Sequence, residues 1–252
     1  MSEAKRLAGR VVLVTGASSG IGEGVALAFG AQGATVVTAA RRADRLTGLA
    51  ERIGAAGGTA FPLAVDVTDE GQIREGIESI RKRYGRLDVL VNNAGTMLSA
   101  RVADAEPADW RAMIEANLLG LMVVTHAAFP LIRAAGNTGH IFNVSSVSAR
   151  LANAGSPGYA ASKAGVGAFT ESLRKELAPQ GVRVTLVMPG IVETELFTHL
   201  KDAATRERFG NMIKAMTPLQ PADIANAIVF AYLQPPHVSI SELIIRPTAQ
   251  VE

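Results

Sequence analysis

Apolar positions along the chain alternate between two patterns. Short runs that are apolar throughout, beginning with Val11-Val12-Leu13-Val14-Thr15, are each followed by a longer stretch with apolar residues at helical spacing. Ile21, Val25, Leu27, Ala28 and Phe29 show that spacing between positions 21 and 32. The same alternation predicts strands over 35–40, 60–65, 89–91, 140–144, 183–187 and 242–245. It predicts helices over 43–55, 69–84, 109–134, 159–177 and 221–233. Strands that are apolar on both faces need cover on both faces. With right-handed crossovers, that makes the chain an α/β protein with a doubly wound parallel sheet. No compositional break, repeat or low-complexity run divides residues 1–252, which read as one domain. Residues 195–217 lack a strand pattern and mix Lys201, Asp202, Arg206 and Lys214 with Phe197, Leu200, Phe209 and Ile213. They read as one or two short helices outside the sheet, forming a substrate lid.

Composition narrows the chemistry. Among 252 residues, 48% are hydrophobic and 19% charged, enough for a sizeable core. The absence of cysteine excludes disulfides, cysteine nucleophiles and thiolate metal sites, and the four histidines are scattered, so no metal is expected. A net charge of +2 and 5% aromatic residues argue against a nucleic-acid partner. The first residues lead into no long apolar run, so neither a secretion signal nor a membrane partner is expected, and the location is read as cytoplasmic.

Thr15-Gly16-Ala17-Ser18-Ser19-Gly20-Ile21-Gly22 joins the first strand to the first helix. Gly16 suits a tight turn, Gly20 a close approach of backbone to a pyrophosphate, and Gly22 close packing of helix on sheet. Ser18, Ser19 and Ile21 would line the helix N-terminus, whose free N–H groups favour anions. The spacing is not GxGxxG, and a purely structural turn is the alternative. The second strand ends at Ala40, where an NAD site normally carries an acid; Arg41 and Arg42 follow, suited to a 2′-phosphate. An ordinary solvated helix start would look the same. Asp66 and Val67 follow the third strand as an acceptor and an apolar wall for adenine, although Asp66 could instead cap the next helix. After the fourth strand comes Asn92-Asn93-Ala94-Gly95, small enough for a cofactor to cross. Asn92 reads as a tie between strand ends.

Tyr159 and Lys163 stand four apart at the start of a predicted helix and share a face. An ammonium there is expected to lower the phenol's pKa from about 10, making it a usable acid or base. Ser146, past the fifth strand, can hydrogen-bond a carbonyl oxygen, and Ser148 is its near rival. Asn117 is a polar residue amid Met113, Ile114, Leu118 and Leu121 that needs buried partners.

Together, Thr15 to Gly22, Asn92 to Gly95, Asn117, Ser146, Tyr159 with Lys163, and Pro189-Gly190 followed by Thr194 resemble the short-chain dehydrogenase/reductase family over essentially the whole chain. The resemblance implies a Rossmann-type three-layer sandwich with a seven-stranded parallel sheet in the order 3-2-1-4-5-6-7. It implies Tyr159 as general acid/base, Lys163 as ribose-binding and pKa-lowering residue, Ser146 as carbonyl orienter, and Asn117 in a proton relay. Cofactor contacts extend to Asn93, Ala94, Gly95, Pro189, Gly190, Val192 and Thr194, with NADP(H) as cofactor. Met97, Asn153, Ile191 and Leu196, with Ser146 and Tyr159, are the expected substrate contacts. Within the family, Ala39 to Arg42, Asn117 to Met122 and Ile245 to Thr248 are most similar to clavulanic acid dehydrogenase and bacterial aldehyde/ketone reductases. The expected partners are a small-molecule carbonyl or alcohol and further copies of the chain, as a homodimer or homotetramer. A 3-oxoacyl-carrier-protein reductase is the alternative within the class, and a non-catalytic NADP-binding scaffold the alternative outside it. One departure stands out. Ser146-Val147-Ser148-Ala149-Arg150-Leu151-Ala152-Asn153 lacks the glycine that many relatives place about three residues after the serine, so Arg150 and Asn153 are expected to alter the substrate rim or a subunit contact.

Overall fold

The computed structural model describes residues 5–196, 207, 210–211 and 216–251. Most of the lid expected at 195–217 therefore lies outside the described residues. Seven strands, β1 (Val11–Thr15), β2 (Thr35–Ala40), β3 (Thr59–Ala64), β4 (Val89–Asn92), β5 (His140–Val144), β6 (Arg183–Pro189) and β7 (Glu242–Ile245), form one parallel sheet. Their order is β3-β2-β1-β4-β5-β6-β7, the expected Rossmann-type arrangement. The order reverses between β1 and β4, the switch point outside whose carboxyl edge ligands bind in such sheets.

Successive side chains on a strand face opposite ways, so one apolar run can feed two cores. Val12 and Val14 pack under α1 (Gly20–Ala31), α2 (Ala43–Ala55) and α7 (Pro221–Tyr232), meeting Val25, Phe29, Leu46, Ile53, Ile224 and Ile228. Val11 and Leu13 face the opposite layer of α3 (Glu70–Tyr84), α5 (Gly120–Ala134) and α6 (Pro157–Leu177), meeting Ile73, Ile80, Val124, Ala128, Leu131 and Leu177. The edge strands depart from the expected full cover: Thr59, Pro62 and Ala64 of β3 and Glu242 and Ile244 of β7 are exposed. Pro62 in β3 fits that position, since an edge strand tolerates a missing N–H.

The helix expected over 109–134 is divided. α4 (Pro107–Ile114) passes through a π-helical turn, residues 115–119, before α5 begins. The stretch Pro107–Ala134 is, among the described residues, long and apolar enough to cross a membrane, but Leu121, Val124, Ala128, Leu131 and Ile132 are buried in the protein core. Opposite the switch point, at the amino edge of the sheet, Asp88 is fully buried. It accepts from Val11 N at 2.9 Å, Arg10 Nη1 at 3.1 Å, Arg86 Nη2 at 2.5 Å and Thr138 Oγ1 at 2.7 Å. This knot fixes the starts of β1 and β4 relative to each other and leaves their carboxyl ends to carry the site.

Candidate active site

A cleft of about 650 Å³ opens over the carboxyl ends of β1, β2, β4, β5 and β6. The turn between β1 and α1 forms its floor. Gly16 has φ +65°, and a Cβ there would lie 2.8 Å from Ala94 Cα, while one on Gly22 would fall against the Gly16 carbonyl. Gly20 has φ +56° and lies beneath the Thr194 methyl, which a Cβ would approach to 3.0 Å. Asn93 closes the turn from the β4 side, donating from Nδ2 to the carbonyls of Thr15 at 3.0 Å and Gly16 at 3.3 Å. Thr15 Oγ1 in return accepts from the N–H groups of Asn93 and Ala94. Ser19 begins α1 without a side-chain cap; its backbone carbonyl accepts from Glu23 N at 3.4 Å, and its side chain adds no partner for the first-turn N–H groups.

The two arginines after β2 part company. Arg41 is largely exposed, with Nη1 4.0 Å from Asp66. Arg42 folds back over the glycine-rich turn, donating to Ser18 Oγ from Nε at 3.2 Å and Nη2 at 3.0 Å, and to Ser19 Oγ at 2.8 Å. Its Nη1 reaches Glu195 at 3.0 Å. Asp66 does not cap α3. Its Oδ1 accepts from Thr68 N and Oγ1, whereas Asp69 accepts from Gly71 N and Gln72 N at the helix start. Asp66 and Val67 both line the cleft. The Val67 carbonyl also stands where a Cβ on residue 120 would be, so Gly120 lets α5 start there. Asn92 ties strand ends as expected, donating to Asn143 Oδ1 and Thr125 Oγ1, both at 2.9 Å.

Asn117 lies fully buried in the π-helical turn. Its side-chain amide accepts from Thr96 N at 2.7 Å and donates to Thr96 O at 2.9 Å and Ser162 Oγ at 3.0 Å. It thus clamps the segment after β4 to α6. Lys163 is not among these side-chain partners, although a Cβ on Gly95 would lie 2.8 Å from Asn117 Oδ1 and 3.5 Å from Lys163 Nζ.

Pro157 starts α6 and puts Tyr159 and Lys163 on its first turns, both buried and both lining the cleft. Tyr159 packs against Met97 and Met113. Burial pushes its pKa up to about 12, against an opposing pull from the Ser146 hydroxyl. The Lys163 ammonium donates to the Val144 carbonyl at 2.9 Å and lies 5.9 Å from the Tyr159 ring centroid; its own pKa is lowered by burial to about 8. The expected lowering of the phenol's pKa by this ammonium is not found: burial, which disfavours the phenolate, sets the direction, and the opposing pull comes from the Ser146 hydroxyl. Ser146 lines the cleft and Ser148 does not. Ser146 Oγ accepts from Ser148 N at 3.1 Å.

The cleft also gathers Ser18, Ser19, Ile21, Arg41, Gly95, Pro189, Gly190, Val192, Thr194 and Leu196. Three expected substrate contacts are not on its lining. Met97 and Ile191 are buried behind it, and Asn153 is exposed on the loop before α6. Arg150 pairs with Glu242 on β7, outside the cleft. Sequence reasoning placed Glu195 at the start of the lid without its arginine partners, and missed the α4 end of the wall, Ala112, Glu115 and Ala116. Glu195 follows Thr194 directly, but only the folded chain brings it to Arg42.

Similarity to known proteins agrees with this geometry. The short chain dehydrogenase family matches residues 10–205. An uncharacterized oxidoreductase of Staphylococcus aureus is 35% identical over 96% of this chain and 98% of its own length. Another, from Staphylococcus saprophyticus, is 37% identical over 94% and 97%. Among solved structures, the closed form of serine dehydrogenase with NADP+ superposes with TM-score 0.86 at 34% identity, covering 96% of each chain. The alcohol dehydrogenase of Thermococcus sibiricus, complexed with 5-hydroxy-NADP, gives 0.85 at 29%, covering 96% of this chain and 97% of that one. A 3-ketoacyl-(acyl-carrier-protein) reductase of Brucella melitensis, complexed with NADH, gives 0.83 at 31%, covering 94% and 97%. With this fold, cleft and matched length, the chain belongs to the short-chain dehydrogenase family and is an oxidoreductase.

Proposed function

We propose that the protein exchanges hydride between NADP(H) and an apolar aldehyde or ketone, or the matching alcohol. The observation that carries this reading is the meeting of Ser146, Tyr159 and Lys163 with the glycine-rich turn in one cleft. The residues fit such a cofactor. Gly16, Gly20 and Gly22 keep the turn low where side chains would fill it, and Ser18, Ser19 and Arg42 offer donors to a 2′-phosphate. Asp66 and Val67 would border adenine, and Lys163 would hold the ribose. Asn93, Ala94, Gly95, Pro189, Gly190, Val192 and Thr194 would border the nicotinamide half. The solved relatives bound to NADP or its derivative support this choice. When bound, the cofactor supplies the hydride.

The chain's own residues supply position and a proton. Ser146 orients the substrate oxygen. Tyr159, neutral at physiological pH and held further from ionisation by burial, donates a proton as that oxygen gains charge. Lys163 provides positive charge near the phenolate left behind. Asn117 holds Thr96 and Ser162 so that the pocket wall and α6 keep their spacing. Met97, Met113, Leu98, Trp110 and Leu196 pack around Tyr159, an apolar setting that favours an apolar carbonyl. A 3-oxoacyl thioester is the second reading, from the likeness to the Brucella melitensis enzyme. Exposed Ile114, Leu119 and Met122 along α4 and α5 support assembly as a homodimer or homotetramer.

The test is NADPH oxidation with a panel of aldehydes, ketones, lactam-derived aldehydes and a 3-oxoacyl thioester. Lactam-derived aldehydes belong there as a test of the resemblance read from Ala39 to Arg42, Asn117 to Met122 and Ile245 to Thr248. Turnover of apolar carbonyls that disappears in Tyr159→Phe while NADPH still binds is the expected result. No turnover of any carbonyl would overturn the reading.

A further inference from the structure

The end of β2 carries no acid, yet a carboxylate reaches the same place from the far side of the cleft. Glu195, six residues beyond the end of β6, accepts from Arg42 Nη1 at 3.0 Å through Oε2 and from Arg45 Nη1 at 2.9 Å through Oε1. Arg42 is held at the same time by the hydroxyls of Ser18 and Ser19. The guanidinium best placed for a 2′-phosphate therefore already has an anion of the chain's own on one edge and the turn's hydroxyls on the other. Ser18, Ser19, Arg42 and Glu195 all line the cleft. We infer that Glu195 competes with the 2′-phosphate of NADP(H) for Arg42 and Arg45, and so is a specificity-determining residue that restrains the preference for the phosphorylated cofactor. This rests on the NADP(H) reading above.

The physical reason is exchange of one anion for another. A phosphate monoester brings about 1.5 to 2 negative charges. It cannot settle beside a carboxylate 3 Å from the same guanidinium without strong repulsion. Entry of the phosphate therefore breaks both Glu195 ion pairs, and only the difference between new and old contacts appears as affinity. A dinucleotide without that phosphate has no need to displace Glu195. The two guanidiniums hold the Glu195 carboxyl below its ordinary range, so it is anionic throughout the neutral region. Side chains in these pairs are 41–47% exposed, so water and salt weaken the competition without removing it.

The experiment is calorimetric titration of the full chain, wild type and Glu195→Gln, with four probes: adenosine 2′,5′-bisphosphate, 5′-AMP, NADP+ and NAD+. Gln keeps the size and loses the charge. The variant is expected to bind the bisphosphate and NADP+ about fivefold more tightly, leave 5′-AMP and NAD+ within about twofold, and lose the gain as salt rises. Glu195→Ala should reproduce the same selective gain, which separates charge from side-chain shape. Equal changes for both ligand pairs, or none for the phosphorylated pair, would overturn the inference. Failure of the NADP(H) reading looks different: wild type would bind the bisphosphate no better than 5′-AMP, and Arg42→Ala would leave that ratio unchanged.

Discussion

Replacing Lys163 by Met should make the protein more stable while removing its chemistry. The residue is 5% exposed, and among the described residues its ammonium donates to one carbonyl, that of Val144. Burial lowers its pKa from 10.5 to about 8. The unfolded chain thus keeps this proton up to pH 10.5 and the folded chain only to about 8. Between those values the unfolded state binds more protons, so this residue makes stability rise with pH. At about 1.36 kcal/mol per pH unit, the charged amine costs the fold about 3 kcal/mol at pH 7. Loss of the bond to Val144 offsets about 1 kcal/mol of the gain. Lys163→Met should therefore exceed the wild type by about 2 kcal/mol at pH 7, and this difference should fall by about 2.5 kcal/mol on going to pH 10. Tyr159, with its pKa raised to about 12, works in the opposite sense but only above pH 10, where the unfolded phenol begins to ionise. Urea unfolding of both proteins at pH 7, 8, 9 and 10, followed by circular dichroism, measures the difference. A stability difference that does not change with pH, or a variant weaker than wild type at pH 7, would refute the reasoning.

Other substitutions probe other parts of the site and frame. Tyr159→Phe should lower turnover by about 100- to 10,000-fold with NADPH affinity within about twofold, read by steady-state rates and cofactor fluorescence. Arg42→Ala should reduce kcat/KM with NADPH by about tenfold or more and change NADH much less, compared on one substrate at fixed ionic strength. Asp88→Ala should destabilise by about 3 kcal/mol, because a buried N–H of Val11 and two arginines lose their acceptor. A lower urea midpoint with unchanged slope is the expected signature.

Much of the frame was legible from residue order. The runs 11–15, 35–40, 140–144 and 242–245 coincide with β1, β2, β5 and β7, because β-branched apolar runs bounded by glycine or polar residues leave little freedom. Local pattern did not reveal neighbours. Whether a strand lies at an edge depends on what pairs with it, so β3 and β7 read as fully covered although residues of both are exposed. The wide turn at 115–119 was hidden because apolar residues continue on either side; Asn117 in their midst was its one local signal. Arg41 and Arg42 looked interchangeable. Only the folded turn, with Ser18 and Ser19 at its rim, draws one inward. The Tyr159–Lys163 spacing was readable at once, but the balance between desolvation and attraction depends on burial, which spacing does not contain.

The π-helical turn makes chain length itself a determinant of the site. A regular helix advances about 100° per residue, and a π turn accommodates about one residue more than an α turn. Winding the same residues as a regular helix, with none removed, would improve the local hydrogen bonding. It would also rotate α4 about its axis by about 100° relative to α5. Trp110 and Met113, which pack beside Gly158 and Tyr159, would be turned away from α6, and Asn117 would leave Thr96. One extra residue, absorbed by a wide turn, here decides which side chains face the reaction. Regularising this helix at unchanged chain length would erase the pocket wall while leaving every catalytic side chain in the sequence.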